Sequence, residues 1–560
     1  MTTGTMMQFP LTLTHLLCRA RRYFPESAIV SRKPDGTTLR MTWAQTYGRA
    51  AKLAHALARL GVKHGDRVAT LAWNHHRHVE AYFAVPMMGA VVHTLNLRLH
   101  PSELGYIARH AEDSVILVDA SLLPLLEKFI EHVPSVRHVV VMTDGGDRTV
   151  DKGARDRTVD NGARDRATID YEALIAPERD EYDWPALDEN AACTLCYTSG
   201  TTGNPKGVLY SHRSSVLHAL AVCMADALGV SESDVVLPVV PMFHANAWGL
   251  PHACALAGCS LVLPGPQLDP ERLLELMSAE RVTIAGGVPT IWLGILALLD
   301  ARAGEKRWDL SALRLMVVGG SAAPPSMIDG FAQRHGLTVM HAWGMTETNP
   351  VGTIARIKRS LSAAPSSEVL ALKASQGYAV PFVETQHVDD AGKALPWDGE
   401  TMGELEVRGP WVAASYFGGE GADRWTADGW FKTGDVVTID REGYVRITDR
   451  AKDVIKSGGE WISSVALENA LMGHPAVLEA AVFAGRHPKW DERPIAAIVL
   501  KKGTYATDRE LAAHLEGKFP RFWLPDAYVV LEQIPRTSTG KFLKTKLREQ
   551  YGGMFEGRKD

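Results

Sequence analysis

The sequence predicts an α/β protein of more than one domain, on three observations. A chain of 560 residues is too long for a single core. Residues 9–130 alternate helix-like and strand-like segments, the pattern of helices laid on a sheet. Between 235 and 327 the order strand, Gly/Pro turn, helix recurs, giving the parts of a doubly wound sheet whose ligands lie beyond the carboxyl ends of its strands.

Composition narrows the class. Hydrophobic residues make up 46% and charged residues 22%, as in an ordinary globular protein. The net charge of −5 argues against a general nucleic-acid or membrane-surface binder. Six cysteines over this length suggest reduced thiols rather than a disulfide framework. No window approaches 18 uninterrupted apolar residues, the N-terminus lacks a signal-peptide pattern, and EGRKD does not match the peroxisomal signal, so a cytoplasmic protein without integral membrane association is expected. Cys193 and Cys196 form a CxxC, but on a strand positions i and i+3 point to opposite faces, so packing is expected rather than chelation.

Taken in order, WAQTYGRAAKLAHALARLGV has apolar residues at helical spacing and ends near Gly61. DRVATLAW reads as a buried strand, and HVEAYFAVPMMGAVVHTLN as helix then strand. Asn74, His75, His76, Arg77 and His78 fall at the turn between them and are expected to be solvated, with no carboxylate nearby to make a metal site. DRTVDKGAR at 147–155 is repeated as DRTVDNGAR at 156–164. The unit is too charged and too short to bury a face, which predicts an exposed duplication in a connector.

YTSGTTGNPKG at 197–207 is a hydrophilic loop between two short apolar runs. Its glycines let backbone N–H groups close on an anion, its hydroxyls donate further hydrogen bonds and Lys206 supplies charge, so it suits a phosphate cradle; a flexible Gly/Ser/Thr loop is the alternative. The spacing is not that of a Walker loop. VVLPVVPMFHANAWGL (235–250), VTIAGGVPTIWLGIL and LRLMVVGGSAAPPSM supply further strand-to-helix turns on the same sheet edge. In HAWGMTETNPV (341–351), Trp343 offers a flat face, Gly344 close approach to a base, Thr346 a phosphate donor and Glu347 a hard oxygen ligand for magnesium; a plain helix start is the alternative. A hairpin around Arg-Glu-Gly places Asp435, suited to ribose hydroxyls, beside Arg450. Residues 453–560 read as βαβ-like and close on PRTSTGKFLKTKLREQ, with Lys541 in a Ser/Thr/Gly turn.

YTSGTTGNPKG, HAWGMTETNPV, the hairpin segment WFKTGDVVTIDREGYVRITDRAKDVIKSGGEWISS (430–464) and PRTSTGKFLKTKLREQ, in this order, resemble the signatures of the adenylate-forming superfamily of acyl-CoA synthetases, peptide-synthetase adenylation domains and beetle luciferases. The resemblance covers essentially the whole chain except the tandem connector. It implies a large N-terminal AMP-binding domain, 1–451, of doubly wound sheets plus a distorted β-barrel, and a small mobile α+β lid, 452–560, hinged at Lys452. It implies ATP, Mg2+ and coenzyme A as cosubstrates and cofactor, and a homodimer. By resemblance, ATP and AMP lie on Thr198, Ser199, Gly200, Thr201, Thr202, Gly203, Lys206, Ala322, Ala323, Pro324, Trp343, Gly344, Met345, Thr346, Asp435, Arg450 and Lys541, with adenine against Trp343, where many relatives carry Tyr. Glu347 and Thr198 hold the metal, and Lys541, Glu347, Thr346 and His244 serve catalysis. His244, Lys456, Gly458, Gly459, Glu460 and Trp461 line the CoA tunnel. Phe243, Trp248, Gly286, Gly287 and Gly320 line an acyl pocket that is mostly apolar, so an uncharged aliphatic acid is expected, as in bacterial medium-chain fatty acyl-CoA and 3-methylmercaptopropionate ligases. Aryl acids stay open because Trp248 and Trp343 could stack a ring. Loading of a carrier protein is a second rival, and a nucleotide-binding regulator without enzymatic activity a third.

Overall fold

The computed structural model describes residues 4–143, 167–198, 204–305, 307–450, 453–457, 460–536 and 542–556, with Ala167, Glu460 and Trp461 described by backbone alone. Ser199–Gly203, the tandem repeat, Lys452, Gly458, Gly459 and Lys541 lie outside these residues.

Two large sheets form the N-terminal body. One runs, in spatial order, Tyr378–Ala379, Val351–Ile354, Val339–Gly344, Leu315–Val318, Ile284–Gly287, Val235–Pro238, Ser260–Leu263, Ala28–Arg32 and Thr38–Thr42. Its inner strands are parallel and only the edges turn antiparallel. The other runs Ala167–Asp170, His138–Met142, Val115–Asp119, Arg67–Leu71, Val91–Thr94, Ala192–Tyr197 and Gly207–Ser211, parallel except for its last pair. Helices between parallel strands bury both sheet faces, which is why every residue of Val115–Asp119 and Val91–Thr94 is buried. The helix Trp43–Arg59 starts where Thr42 and Gln45 cap each other reciprocally, and Gly61 follows its end at φ +82°.

A separate antiparallel sheet of Glu384–Val388, Gly403–Arg408, Phe431–Ile439 and Val445–Arg450 stands where a distorted barrel was expected. The smaller C-terminal part has its own sheet, in which Val477–His487 pairs antiparallel with Asp491–Leu500 and Ala527–Val530 returns parallel to the latter through the helix Asp508–Leu515. It has its own cores, around Leu467, Leu511 and Ile498 on one face and around Phe483, Leu547 and Phe555 on the other.

The structure corrects the turn at 74–78. Asn74, His76, Arg77 and His78 are buried, because the turn is wedged between the two large sheets. The Asn74 side chain donates to the carbonyls of Pro238 and Val240, both at 2.9 Å, and accepts from the Met242 N–H at 2.7 Å. Carboxylates do arrive, from distant segments: His75 meets Asp119 at 2.7 Å and Arg77 meets Glu172 at 2.8 Å. Burial, with His75 alongside, pushes His78 down to about 3, so it stays neutral near pH 7. Cys193 and Cys196 pack as expected: Cys193 Sγ lies against Ser215 and Cys196 Sγ against Asn246, and burial pushes both thiols up to about 11.

Candidate active site

The turns singled out in the sequence gather at the carboxyl ends of the parallel strands. The hydroxyl- and glycine-rich loop is the connection of a hairpin, with Tyr197 opposite Gly207. At its base the Thr198 N–H donates to the Lys206 carbonyl at 2.9 Å. The Tyr197 hydroxyl shares a hydrogen bond with His110 Nδ1 at 2.6 Å, which fixes the strand that enters the loop.

Thr346–Thr348 forms a short 3-10 turn after the strand Val339–Gly344. Its backbone is held twice, by the Tyr210 hydroxyl donating to the Thr346 carbonyl and by the Ala413 N–H donating to the Glu347 carbonyl, both at 2.7 Å. Glu347 is 5% exposed and its Oε1 accepts from the Tyr416 hydroxyl at 2.5 Å. Gly344 is required for a reason other than access to a base: a Cβ there would stand 1.8 Å from the Pro350 carbonyl oxygen, so the turn itself closes over it.

Asp435 and Arg450 are register partners on adjacent strands and form an ion pair at 2.7 Å. The Trp343 indole N–H donates to the other Asp435 oxygen at 2.9 Å. Trp343 therefore orients the carboxylate expected to meet ribose, and its ring also rests against Gly352, where a Cβ would come within 2.5 Å. The turn Gly320–Pro324 begins with Gly320 at φ +83° and feeds the helix Pro325–His335; Ala323 and Pro324 are buried and Ala322 half-buried there.

The candidate acyl wall is only partly as expected. Trp248 lies over Gly286 and Gly319, where added Cβ atoms would meet its ring at 3.7 and 3.1 Å. Gly287 faces the other way, its Cβ position 2.6 Å from the Trp292 ring, because neighbouring strand residues alternate between faces. Phe243 is buried and its carbonyl accepts from Thr94 Oγ1 at 3.2 Å, while Tyr82 donates to the Met242 carbonyl. His244 follows, half-buried, and Ala245 to Gly249 all take positive φ, from +42° to +69°. Five successive left-handed residues, four with side chains, are costly and persist only where surrounding contacts impose them. Lys456 pairs with Trp461, and Ser457 with Glu460, in the small C-terminal sheet.

Sequence reasoning missed Tyr416, Tyr210, Asn74 and Tyr82, which hold the site from behind. Their signals are long-range contacts, absent from local spacing.

The fold and these turns define a nucleotide-dependent ligase architecture. A model of the AMP-binding enzyme family matches residues 19–417, and one of the AMP-binding enzyme C-terminal domain matches residues 466–541; the chain belongs to this family. Over 99% of its length it is 50% identical to a long-chain-fatty-acid–CoA ligase of Thermus thermophilus, covering 98% of that protein. It is 46% identical to a 3-methylmercaptopropionyl-CoA ligase of Ruegeria pomeroyi, over 99% of this chain and 100% of that one. The crystal structure of the anthranilate CoA ligase AuaEII with anthranoyl-AMP is similar over 99% of both chains, with a TM-score of 0.84 and 26% identity. The adenylate-forming, acyl-CoA synthetase resemblance read from the motifs is borne out.

Proposed function

We propose that the protein joins an uncharged aliphatic carboxylic acid, of short or medium chain, to ATP as an acyl adenylate and then passes the acyl group to the thiol of coenzyme A. The supporting observation is that three sheets each contribute one anchored group: Lys206 at the base of the hydroxyl-rich loop and Glu347 on its 3-10 turn, both against Tyr416, and Asp435, held by Trp343 and Arg450.

A carboxylate is a poor acyl donor because its leaving group would be oxide; as a mixed anhydride with AMP it has a good one. The barrier is electrostatic, since an anion attacks a polyanion. Thr198, Thr346 and the loop hydroxyls donate to phosphate oxygens, and Lys206 and Lys541 offset their charge. Asp435 holds the ribose, and fixing both reactants in line supplies roughly 7–11 kcal/mol of the barrier. Glu347 and Thr198 offer hard oxygens that fit magnesium. Among the described residues no group of three or more His, Cys, Asp or Glu could hold a metal alone, which suits an ion held by one or two protein oxygens and by substrate phosphates. When bound, magnesium supplies charge neutralisation at the phosphates. Adenine stacks on Trp343 and lies by Ala322, Ala323 and Pro324.

In the second half-reaction the part from 452 onward turns about Lys452. Lys541 leaves, and Lys456 to Trp461 bring Gly458 and Gly459 to a passage for the pantetheine arm, beside His244. The acyl chain lies along Phe243, Trp248, Gly286 and Gly320. On family resemblance alone we read the protein as a cytoplasmic homodimer; among the described residues no helix is long and apolar enough to cross a membrane.

Diphosphate exchange with straight-chain acids of graded length, followed by a thioester assay with free CoA, tests this reading. Exchange with aliphatic acids and CoA-dependent AMP release are expected. Release of neither diphosphate nor AMP with any acid would overturn it; preference for aromatic acids would move it to an aryl-CoA ligase, and thioester only on a carrier protein to the other rival. Lys541→Ala should abolish exchange while sparing thioester formation from preformed adenylate.

A further inference from the structure

Tyr416 belongs to none of the motifs, yet it touches two of them. Its hydroxyl donates to Glu347 Oε1 at 2.5 Å, and the Lys206 ammonium lies 5.0 Å from the centre of its ring. The ring is buried, 6% exposed, and stands edge-on to Trp425 at 5.1 Å; the Trp425 indole N–H donates to the Ala413 carbonyl at 2.7 Å. The Ala413 N–H holds the backbone of Glu347, so the segment bearing Tyr416 grips both the main chain and the carboxylate of that residue. The fit around Lys206 is close: a Cβ on Gly421 would come within 2.5 Å of its Nζ and 3.2 Å of the Tyr416 ring.

A buried phenol needs an acceptor, and many would serve a purely structural role. Here the acceptor is one oxygen of the carboxylate, and the aromatic face takes up the cation. Among the described residues Lys206 and Glu347 form no ion pair with each other or with any other residue. Two opposite charges left free to meet would neutralise one another and lose their pull on a ligand.

We propose that Tyr416 is a positioning residue that keeps Glu347 and Lys206 apart and aimed, coupling the metal-binding carboxylate to the cation of the phosphate loop. This rests on the reading of Glu347 and Lys206 given above. Outer partners of ligating carboxylates commonly set affinity by tenfold or more, and preorganised charge costs no rearrangement when the ligand arrives.

Tyr416→Phe removes only the hydroxyl, and Tyr416→Leu removes the ring as well. Three measurements separate their effects: Mn2+ binding followed by electron paramagnetic resonance in the presence of α,β-methylene ATP, the Mg2+ titration of diphosphate exchange, and thioester formation from preformed adenylate. For Tyr416→Phe we expect about tenfold weaker Mn2+ binding and a matching rise in the Mg2+ needed for half-maximal exchange. Exchange should recover at high Mg2+, and the thioester step should be nearly unchanged. Tyr416→Leu should also raise KM for ATP, because Lys206 loses its seat. Manganese and magnesium titrations of Tyr416→Phe that overlay the parent curves would overturn the proposal, whatever the melting temperature does; equal loss of both half-reactions would do the same. If the parent protein exchanged diphosphate with no acid, the acid-activation reading would fall, and the manganese titration alone would still decide for or against Tyr416.

Discussion

Arg49, Arg77, Glu80, Glu172 and Tyr171 make one partly buried cluster of cations, acids and a phenol; Lys206, Glu347 and Tyr416 make another. In the first, every charge meets its opposite. Arg49 contacts Glu80 at 2.7 Å and Glu172 at 2.8 Å, Arg77 contacts Glu172 at 2.8 Å, and Tyr171 donates to Glu80 at 2.5 Å. In the second, the phenol meets the acid and its ring meets the cation, while cation and acid stay apart. The first arrangement ties the helices Trp43–Arg59, His76–Met87 and Tyr171–Ile175 together. Among the described residues the second leaves its two charges unpaired, which on the proposed reading keeps them for a ligand. Closed networks spend their electrostatics on the fold, and open ones hold it for a ligand.

The comparison breaks if the two clusters respond alike to losing one member. Glu347→Gln should cut adenylation by about 10²–10³ and raise the magnesium requirement sharply, while the urea midpoint barely moves. Arg49→Met should do the opposite. It leaves Glu80, fully buried and already pushed up by burial, without its cation; breaking a buried pair from one side costs about 3–5 kcal/mol. The folded enzyme should keep its KM for ATP. Urea unfolding beside exchange kinetics on both variants checks this, and a stability loss in Glu347→Gln equal to that in Arg49→Met would dissolve the distinction.

A third cluster sharpens the contrast through pH. Glu468 contacts Lys544 at 2.8 Å and accepts from the Val482 N–H at 2.7 Å, while Lys544 also donates to Ser464 and faces Asp449. Burial pushes Glu468 up to about 7, with Lys544 pulling back, against an ordinary 4.5. The folded chain thus holds a proton that the unfolded chain releases between these values. This group's contribution to stability is fully present below about 4.5 and is lost as pH rises through 7. Glu468→Gln still offers a carbonyl to both donors but cannot titrate. Urea midpoints from pH 5 to pH 8 should fall more steeply in the parent than in the variant, and parallel slopes would show that the carboxyl is ionised throughout.

What was legible in the sequence follows how locally each feature is encoded. The doubly wound sheets could be read because their strands are apolar runs closed by Gly and Pro turns, and the Asp435–Arg450 pair because a hairpin sets its register through a turn written beside it. The turn at 74–78 was misread because its partners, Asp119, Glu172 and the Pro238–Met242 backbone, come from far along the chain, and only tertiary contact buries four of its five polar residues. Gly287 was misplaced because a glycine carries no side chain to show which face of its strand it serves, and Trp292 claims that face. Trp343 was read as a stacking surface; its indole N–H also serves Asp435, a contact a Tyr at that position would have to make through a hydroxyl in a different place. Tyr416 gave no signal because aromatic residues at loop positions are common and its two partners stand 69 residues before it, for Glu347, and in the first loop, for Lys206.

The smallest effect is expected from the tandem repeat, which lies outside the described residues and whose composition predicts an exposed connector. Its residues lie between the parallel neighbours His138–Met142 and Ala167–Asp170. A parallel crossover needs about a dozen residues, and more than that number remain when 156–164 are deleted. Loop-closure entropy changes only with the logarithm of length, so the shorter connection should alter stability by roughly half a kcal/mol. For a chain this long such a change should move the melting temperature by no more than about 2 °C. Diphosphate exchange should stay at the parental rate. A large loss of either on deleting one copy would mean that the duplicated segment makes contacts its composition does not suggest, and that the molecule holds functional charge in a third place.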